Sequence, residues 1–297
     1  MTVSRLEHSA IRRWEHILSG CTAMSYLAAG NTAHPTVLLL HGFPNSSEMF
    51  REVITELEPI ARVIAPDLPG FGHSEPLATA SFDRFGKAVA ELLDALHVGP
   101  RFIYLHDFGA PAALHVAMAE PDQVLGLIIQ NANAHTTGLG PGWAETIRYW
   151  ADPTRANEAA ATAHLTREGI RAQYTDGVPP DVAARVPAER WEEDWRVMNL
   201  PGRLETQRAL IADYGAYVLR FPEIADYLAR REPPALMIWG RHDAFFDLDE
   251  TVSWMRMLPR MEAHVLDAGH LLLETHSSRA APLIRSFVER STTTTSP

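Results

Sequence analysis

The sequence predicts an α/β protein with a mostly parallel, doubly wound sheet and a helical segment inserted into it. Apolar runs without polar alternation recur along the chain, which is typical of strands buried on both faces of a parallel sheet. Helical patterns lie between several of these runs, as in βαβ units. The alternation stops between about residues 133 and 231, where helix-like pieces appear without a comparable strand, and resumes at Ala235.

The elements follow from these patterns in chain order. Residues 13–18 and 23–27 flank Ser19-Gly20, which indicates a hairpin at a sheet edge. We predict buried strands at residues 37–40, 63–65, 102–105, 124–129, 235–239 and 264–266. We predict helices at residues 82–96 and 112–119, and at 155–165, 188–198 and 204–221 in the inserted segment.

These boundaries divide the chain into a core and an insertion. Residues 1–132 and 232–290 form the α/β core, and residues 133–231 form a helical cap. Residues 291–297 include four threonines and have little apolar surface to bury, so we expect a disordered tail.

Composition limits the possible partners. The chain has 297 residues and a formal net charge of -11, which disfavours nucleic acid and anionic membranes. The first 20 residues lack the apolar centre of a signal peptide, and the lone Cys21 excludes an internal disulfide. We therefore expect a cytoplasmic protein that acts on a small molecule. The sequence does not indicate an oligomeric state, a cofactor or a metal site.

The most informative stretch ends the predicted strand at residues 102–105. It continues as His106-Asp107 and then Gly109 and Pro111, typical of a strand that turns sharply into a helix. Serine hydrolases place the serine of G-x-S-x-G on such a turn, and this chain contains no such motif. The candidate nucleophile is therefore the carboxylate of Asp107, and serine esterase activity is not expected.

Two further polar residues follow later strands. Asp243 comes after the strand at 235–239, and His270 comes after the last strand. The order nucleophile, acid, histidine matches the order of hydrolase triads. We predict Asp107, Asp243 and His270 as the catalytic set. The other histidines considered as bases are His242, His264 and His276.

The loop His41-Gly42-Phe43-Pro44 directly follows the strand at 37–40. The backbone N–H groups of Phe43 and Phe108 could form an oxyanion hole beside Asp107, or the loop could simply be a tight turn. The glycine-rich loop 67–74 lacks the spacing of a phosphate loop, and we predict a structural role for it. Asp247, Asp249 and Glu250 are interpreted as helix-cap and surface charges.

Through the residues described above, the sequence resembles the α/β-hydrolase superfamily. The similarity is to its aspartate-nucleophile branch, which holds epoxide hydrolases and haloalkane dehalogenases, and it spans roughly residues 30–290. The matching pieces are residues 41–44, 67–74, 106–110, 239–243 and 269–270. Residues 130–134 and 272–276 also resemble a bacterial group of hydrolases in this branch. Two residues depart from the family pattern: Leu105 is large where a small residue is usual, and Phe108 replaces a common tryptophan.

The resemblance implies opening of a carbon–heteroatom bond through an aspartyl alkyl ester. A dehalogenase of this family holds the departing halide with tryptophan or asparagine N–H groups, whereas Phe43 and Phe108 have no side-chain donor. An epoxide hydrolase instead protonates the ring oxygen with cap tyrosines. The candidates are Tyr149, Tyr174 and Tyr214, with Tyr217 nearby, and Tyr149 is favoured because it lies early in the cap.

The sequence therefore predicts an epoxide hydrolase that yields a vicinal diol from a mainly apolar substrate. Two alternatives stay open. One is a haloalkane dehalogenase that uses the same covalent mechanism. The other is a ligand-binding or biosynthetic protein that keeps the fold without hydrolysis.

Overall fold

The computed structural model describes residues 11–294, and the strands within this range form one eight-stranded sheet. The strands are β1 Arg12–Ile17, β2 Ala23–Ala29, β3 Thr36–Leu40, β4 Arg62–Pro66, β5 Arg101–His106, β6 Val124–Gln130, β7 Ala235–Gly240 and β8 Met261–Leu266. Their spatial order is β1-β2-β4-β3-β5-β6-β7-β8. The pairs β1–β2 and β2–β4 are antiparallel and all other pairs are parallel, which confirms the predicted edge hairpin and doubly wound sheet.

Helices cover both faces of the sheet. They are α1 Arg51–Leu57, α2 Phe82–Ala95, α3 Gly109–Ala119, α4 Ala144–Ala151, α5 Arg155–Ala161, α6 Arg167–Thr175, α7 Pro180–Ala183, α8 Ala188–Met198, α9 Arg203–Val218, α10 Phe221–Arg231, α11 Asp249–Met257 and α12 Leu273–Thr294. Helices α1 and α12 pack together on one face, and α2 and α3 on the other. Along β5, Phe102 and Tyr104 join the first layer, whereas Ile103 and Leu105 join the second.

The segment between β6 and β7 contains helices α4 to α10 and no strand among its described residues. Aromatic packing connects these helices, because the rings of Trp150 on α4 and Tyr214 on α9 stack with centroids 6.0 Å apart. The Trp150 indole N–H also donates to the Ile211 carbonyl at 2.8 Å. Helix α9 ends at Val218, earlier than predicted, since Pro222 starts the separate helix α10.

Two boundaries near the C-terminus differ from expectation. Strand β8 begins at Met261 rather than 264, because this edge strand alternates between exposed and covered residues and has only a short continuous apolar run. Helix α12 continues to Thr294, so the tail expected from residue 291 is helical over its first four residues. Residues 1–10 and 295–297, which include the start of the N-terminal segment and the end of the tail, lie outside the described residues. None of the helices within 11–294 has the length and apolar character needed to cross a membrane.

Candidate active site

Asp107 lies on the sharp turn between β5 and α3. Its φ of +45° falls in the left-handed region that non-glycine residues rarely adopt. The turn fits tightly against its surroundings: a Cβ on Gly42 would lie 2.3 Å from the Asp107 Cβ. A Cβ on Gly109 would lie 2.4 Å from the His41 carbonyl oxygen. Both glycines are therefore needed for the turn, while the large Leu105 is fully buried in the core beneath it.

The two carboxylate oxygens of Asp107 have different surroundings. The Phe43 N–H, from the loop after β3, donates to Oδ1 at 2.6 Å. Phe108 is the N-cap residue of α3, so the positive end of the helix dipole also lies beside this carboxylate. Oδ2 is instead 3.6 Å from the His270 Nε2. One oxygen is thus held by backbone, and the other faces the histidine.

His270 is placed between two carboxylates. Its Nδ1 is hydrogen-bonded to Asp243 Oδ2 at 2.9 Å, and the His270 and Asp243 side chains are each 1% exposed. Burial acts to lower the pKa of His270, but the charges of Asp243 and Asp107 outweigh it and raise this pKa to about 10. Burial likewise acts to raise the pKa of Asp107, but hydrogen bonding and the charge of His270 lower it overall. The structure therefore joins Asp107, His270 and Asp243 as a charged triad.

Asn131 contacts this triad and has no role assigned from sequence. Its Nδ2 donates to Asp243 Oδ2 at 2.7 Å, and its Oδ1 accepts from the Gly240 N–H at 3.0 Å. Its backbone carbonyl accepts from the Asp107 N–H at 3.2 Å. Asn131 is buried and has a φ of +36°. Its position directly after β6 was the available signal, because polar residues at strand ends meet at one edge of a parallel sheet.

His106 lies behind His270, with the two ring centroids 4.8 Å apart. Burial and then the charge of His270 lower the pKa of His106 to about 4. The neutral ring is hydrogen-bonded to the Gln130 carbonyl oxygen at 3.1 Å. The Gln130 Nε2 donates to the His270 carbonyl oxygen at 3.3 Å. These contacts fix the backbone of His270 from the core side.

A cavity of about 360 Å³ opens above Asp107 between the core and the cap. Its core wall includes Phe43, Phe108, Phe245 and Phe246, and its cap wall includes Trp143, Ala161, His164, Gln173, Ile211 and Tyr214. Most of these residues are apolar or aromatic, as in sites for small organic ligands. The structure therefore places the predicted oxyanion residues and Tyr214 around the same space as Asp107.

Tyr214 is the predicted cap tyrosine that lines this cavity. It is 1% exposed, and burial raises the pKa of Tyr214 well above its ordinary value. The Asn133 side chain lies beside the hydroxyl and acts to lower this pKa, but no hydrogen bond of good geometry holds the hydroxyl within residues 11–294. A protonated hydroxyl without a well-formed hydrogen bond is costly to bury, so this group can donate to a ligand.

The other tyrosines lie elsewhere. Tyr149, favoured from the sequence, does not line the cavity. Only the first turn of α4 reaches the cavity, through Glu145 and Thr146, and Tyr149 lies one turn further along the helix. Tyr174 on α6 does not line this cavity either and lies in the wall of another cavity. Its hydroxyl hydrogen-bonds Asp194 instead. The Tyr217 hydroxyl donates to the Asn133 carbonyl oxygen.

His164 is a cavity residue that the sequence did not reveal. It lies between α5 and α6, and its ring packs edge-on against Phe43 with centroids 5.8 Å apart. Burial lowers the pKa of His164, partly offset by a hydrogen bond to the Ala161 backbone and by the Asp107 charge, so the ring is neutral near pH 7. A histidine in a helix connection has no periodic pattern that relates it to the core, which explains why it was missed.

The remaining predictions have mixed outcomes. Asp67 accepts backbone N–H groups from Ser47 and His73, each at 2.8 Å, as expected for a structural loop. Glu250 is fully buried and accepts the Ala134 N–H at 2.8 Å, so its interpretation as a surface charge was wrong. The helix start at α11 points this carboxylate inward, where backbone N–H groups satisfy it. Across residues 11–294, no cluster of three or more His, Cys, Asp or Glu is arranged to hold a metal.

Comparisons with known proteins agree with this architecture. The profile of the alpha/beta hydrolase fold family matches residues 35–277. A hydrolase of Saccharomyces cerevisiae, described as uncharacterized, is 32% identical over 272 residues, covering 89% of this chain and 93% of that protein. A haloalkane dehalogenase of Mesorhizobium japonicum is 40% identical over 107 residues, covering 36% and 34%.

Solved structures share the same fold. The epoxide hydrolase CorEH superposes with a TM-score of 0.77 at 23% identity, covering 95% of this chain and 99% of that one. This likeness concerns the fold alone. Since the family profile spans most of the chain, this protein belongs to the alpha/beta hydrolase fold family.

Proposed function

We propose that this hydrolase opens an epoxide to a vicinal diol through an ester between the substrate and Asp107. The observation that carries the proposal is that Tyr214, whose buried hydroxyl makes no well-formed hydrogen bond among residues 11–294, lines the same cavity as Asp107. Ring opening needs a carboxylate on one side of the substrate and a proton donor on the other. Asp107 and Tyr214 meet this requirement.

The first half-reaction forms the ester. Asp107 is ionised near neutral pH because its pKa is lowered, and Oδ2 attacks an epoxide carbon as the carbon–oxygen bond breaks. The resulting alkoxide is a stronger base than phenolate and takes the Tyr214 proton.

The second half-reaction hydrolyses the ester. Esterification removes the Asp107 charge, which is one of the two that raise the pKa of His270. The ring then releases its proton, which restores the Tyr214 hydroxyl, and the neutral ring accepts a proton from the attacking water, with Asp243 holding Nδ1. The water oxygen adds to the ester carbonyl, and negative charge develops on Oδ1, where the Phe43 N–H donates. The bond between Cγ and Oδ2 then breaks, and the departing diol oxygen takes the proton of the newly formed carboxyl group. Asp107 is thus regenerated as a carboxylate and His270 as a cation.

A haloalkane dehalogenase is the second candidate, and the Mesorhizobium japonicum relative favours it. Halide release also needs N–H donors in the cavity. The Trp143 indole N–H donates to the Phe245 carbonyl at 2.8 Å, and neither Phe43 nor Phe108 has a side-chain donor. The cavity thus offers a tyrosine hydroxyl, whereas binding of a departing halide favours a free indole N–H. This difference supports an epoxide substrate over a haloalkane.

Substrate size and polarity follow from the cavity. A volume of about 360 Å³ and aromatic walls support a small, mainly apolar epoxide such as an aryl or alkyl oxirane. Terminal aryl epoxides are therefore the first compounds to test.

A single turnover in water enriched in oxygen-18 tests the covalent step. With enzyme in excess over styrene oxide, the diol should carry an oxygen from unlabelled Asp107, measured by mass spectrometry. If the diol formed in the first turnover carries an oxygen from the solvent at the attacked carbon, that result would falsify the ester mechanism. A parallel panel of epoxides, haloalkanes and esters, with Asp107→Asn as the inactive control, decides between the candidate activities.

A further inference from the structure

A second cavity of about 490 Å³ lies on the other side of α6, between the cap and the loop after β3. Its lining includes the polar residues Asn45, Tyr174, Arg190, Asp194 and Glu274. None of these residues takes part in the proposed chemistry above. Their hydrogen bonds nevertheless connect the cap to the loop that carries the Phe43 N–H.

Asn45 is the core residue in this network. It is 3% exposed, and its Nδ2 donates to the Tyr174 hydroxyl oxygen at 2.7 Å and to Asp194 Oδ2 at 3.1 Å. The Tyr174 hydroxyl in turn donates to Asp194 Oδ2. Tyr174 belongs to α6 and Asp194 to α8. One core amide therefore binds two cap helices at a single point.

Asn45 is also only two residues from Phe43. The intervening Pro44 has a fixed φ, so the backbone between them has little freedom. At the other end of this loop, Gly42 packs directly on Asp107. Asn45 is therefore connected through one restricted residue to Phe43, whose N–H is 2.6 Å from Asp107 Oδ1.

The cap side of the network is anchored in two ways. Gln173, adjacent to Tyr174 on α6, lines the cavity above Asp107, so the same helix contacts both cavities. Arg190 on α8 forms an ion pair with Glu274 on α12 at 3.1 Å, and the Glu274 side chain is 4% exposed. Two contacts therefore hold α8 on the core beside the second cavity: Asp194 with Asn45 and Arg190 with Glu274.

We infer that Asn45 is a positioning residue, which couples the seating of the cap on Tyr174 and Asp194 to the placement of the Phe43 N–H. This inference rests on the proposed function, because the N–H matters when charge develops on Oδ1. Such charge develops during ester hydrolysis and not during alkylation, in which Asp107 loses its charge. The network should therefore control the second half-reaction selectively.

Pre-steady-state kinetics test this selectivity. Asn45→Ala and Tyr174→Phe should slow hydrolysis of the alkyl-enzyme about tenfold or more and change alkylation less than about twofold, as followed by quenched-flow intact mass. Asp194→Asn keeps an acceptor for both donors and should retain the wild-type hydrolysis rate. Tyr227→Phe, on α10, is the matched control. It also removes a buried tyrosine hydroxyl, but this hydroxyl has no hydrogen-bond partner among the described residues, so no link between cap and core is lost.

A second measurement does not depend on activity. In protein labelled with ¹⁵N-phenylalanine, eleven amides are visible, and Phe43→Tyr identifies the Phe43 signal. Tyr174→Phe should move this signal upfield, as expected for a weakened hydrogen bond, and leave the signals of Phe102 and Phe287, which pack together in the core, unchanged. An unmoved Phe43 amide, or equal slowing of both chemical steps, would overturn the coupling. If the wild type forms no alkyl-enzyme, the proposed function fails, while the amide shift still decides the coupling.

Discussion

Helix α6 separates two cavities that each contain an aspartate, Asp107 on the core side and Asp194 on the cap side. Asp107 has His270 as a neighbouring cation and a backbone N–H on Oδ1, and its pKa is lowered. Asp194 accepts hydrogen bonds from the neutral groups of Tyr174 and Asn45, and the Arg190 cation and the Glu274 carboxylate both lie nearby. Burial and the Glu274 charge outweigh the hydrogen bonds and Arg190, and raise the pKa of Asp194 to about 8.

Both aspartates are buried, so the comparison shows that their charged and hydrogen-bonding neighbours decide which of them is ionised at pH 7. A nearby cation and backbone donors keep Asp107 charged and able to attack. Neutral donors leave Asp194 protonated at pH 7, where it serves as a hydrogen-bonding link. The predictions below alter these partners one at a time.

Replacing His270 should have the largest effect. In His270→Gln, turnover should fall by about 10²- to 10⁴-fold because no base activates water, and the alkyl-enzyme should accumulate in intact mass spectra. The pKa of Asp107 should also rise without its cation. Alkylation should then increase with pH across the neutral range in the variant, whereas the wild-type rate stays flat.

The control for His270→Gln is a partly buried histidine outside the triad. His135→Gln, beside Glu250, should leave turnover within about twofold, since no reacting group touches it. Rapid turnover of His270→Gln without any ester would contradict the assigned base.

Removing the cap hydroxyl should have the next largest effect. Tyr214→Phe should lower the alkylation rate about 10- to 100-fold, because the alkoxide loses its proton donor, and leave hydrolysis of the formed ester nearly unchanged. Burst kinetics with styrene oxide measure both steps. Tyr149→Phe is the matched control, and an equal loss there would indicate that the cap tyrosine was assigned wrongly.

The contrast between Tyr214 and Tyr149 also shows what the sequence can reveal. Asp107, Asp243 and His270 could be predicted because each directly follows a strand, and strand ends meet at one edge of a parallel sheet. The cap has no such rule. Its helices pack on the core at angles that side-chain packing sets, so sequence alone cannot choose the tyrosine that faces Asp107.

Long-range polar contacts were equally hidden. Asn45 and Asp194 are 149 positions apart, and neither lies in a pattern that relates it to the other. Glu250 looked like a helix-cap charge, because acids are common at helix starts, and its burial depends on the turn after β6. The fold was thus predictable from local patterns, while these partners depend on tertiary packing.

Loss of the amide beside Asp243 should have a smaller effect on rate. Asn131→Leu removes the 2.7 Å hydrogen bond that orients the Asp243 carboxylate, so hydrolysis should slow about tenfold. The buried Gly240 N–H also loses its acceptor, which should cost about 1–3 kcal/mol of unfolding free energy. Rate constants measured well below the thermal unfolding temperature separate the effect on rate from the effect on stability. An unchanged hydrolysis rate would show that Asp243 does not need the Asn131 amide to orient it.

The last prediction leaves the chemical steps unchanged and concerns stability, which should depend on pH through Asp194. The pKa of this carboxyl is about 8 in the folded protein, whereas an unperturbed aspartate has a pKa of about 3.9. Between these values the folded state binds more protons than the unfolded state, so the Asp194 contribution to stability falls as pH rises. Asp194→Asn cannot ionise and should escape this loss.

Urea unfolding at pH 5, 7 and 9 measures the difference. The stability of Asp194→Asn relative to wild type should increase steadily from pH 5 to pH 9, with the exposed Asp226→Asn as a control that stays constant. A constant offset for Asp194→Asn would mean that Asp194 is ionised throughout, like Asp107. The link between cap and core would then be an ion-dipole contact, and its strength would not weaken in alkaline solution.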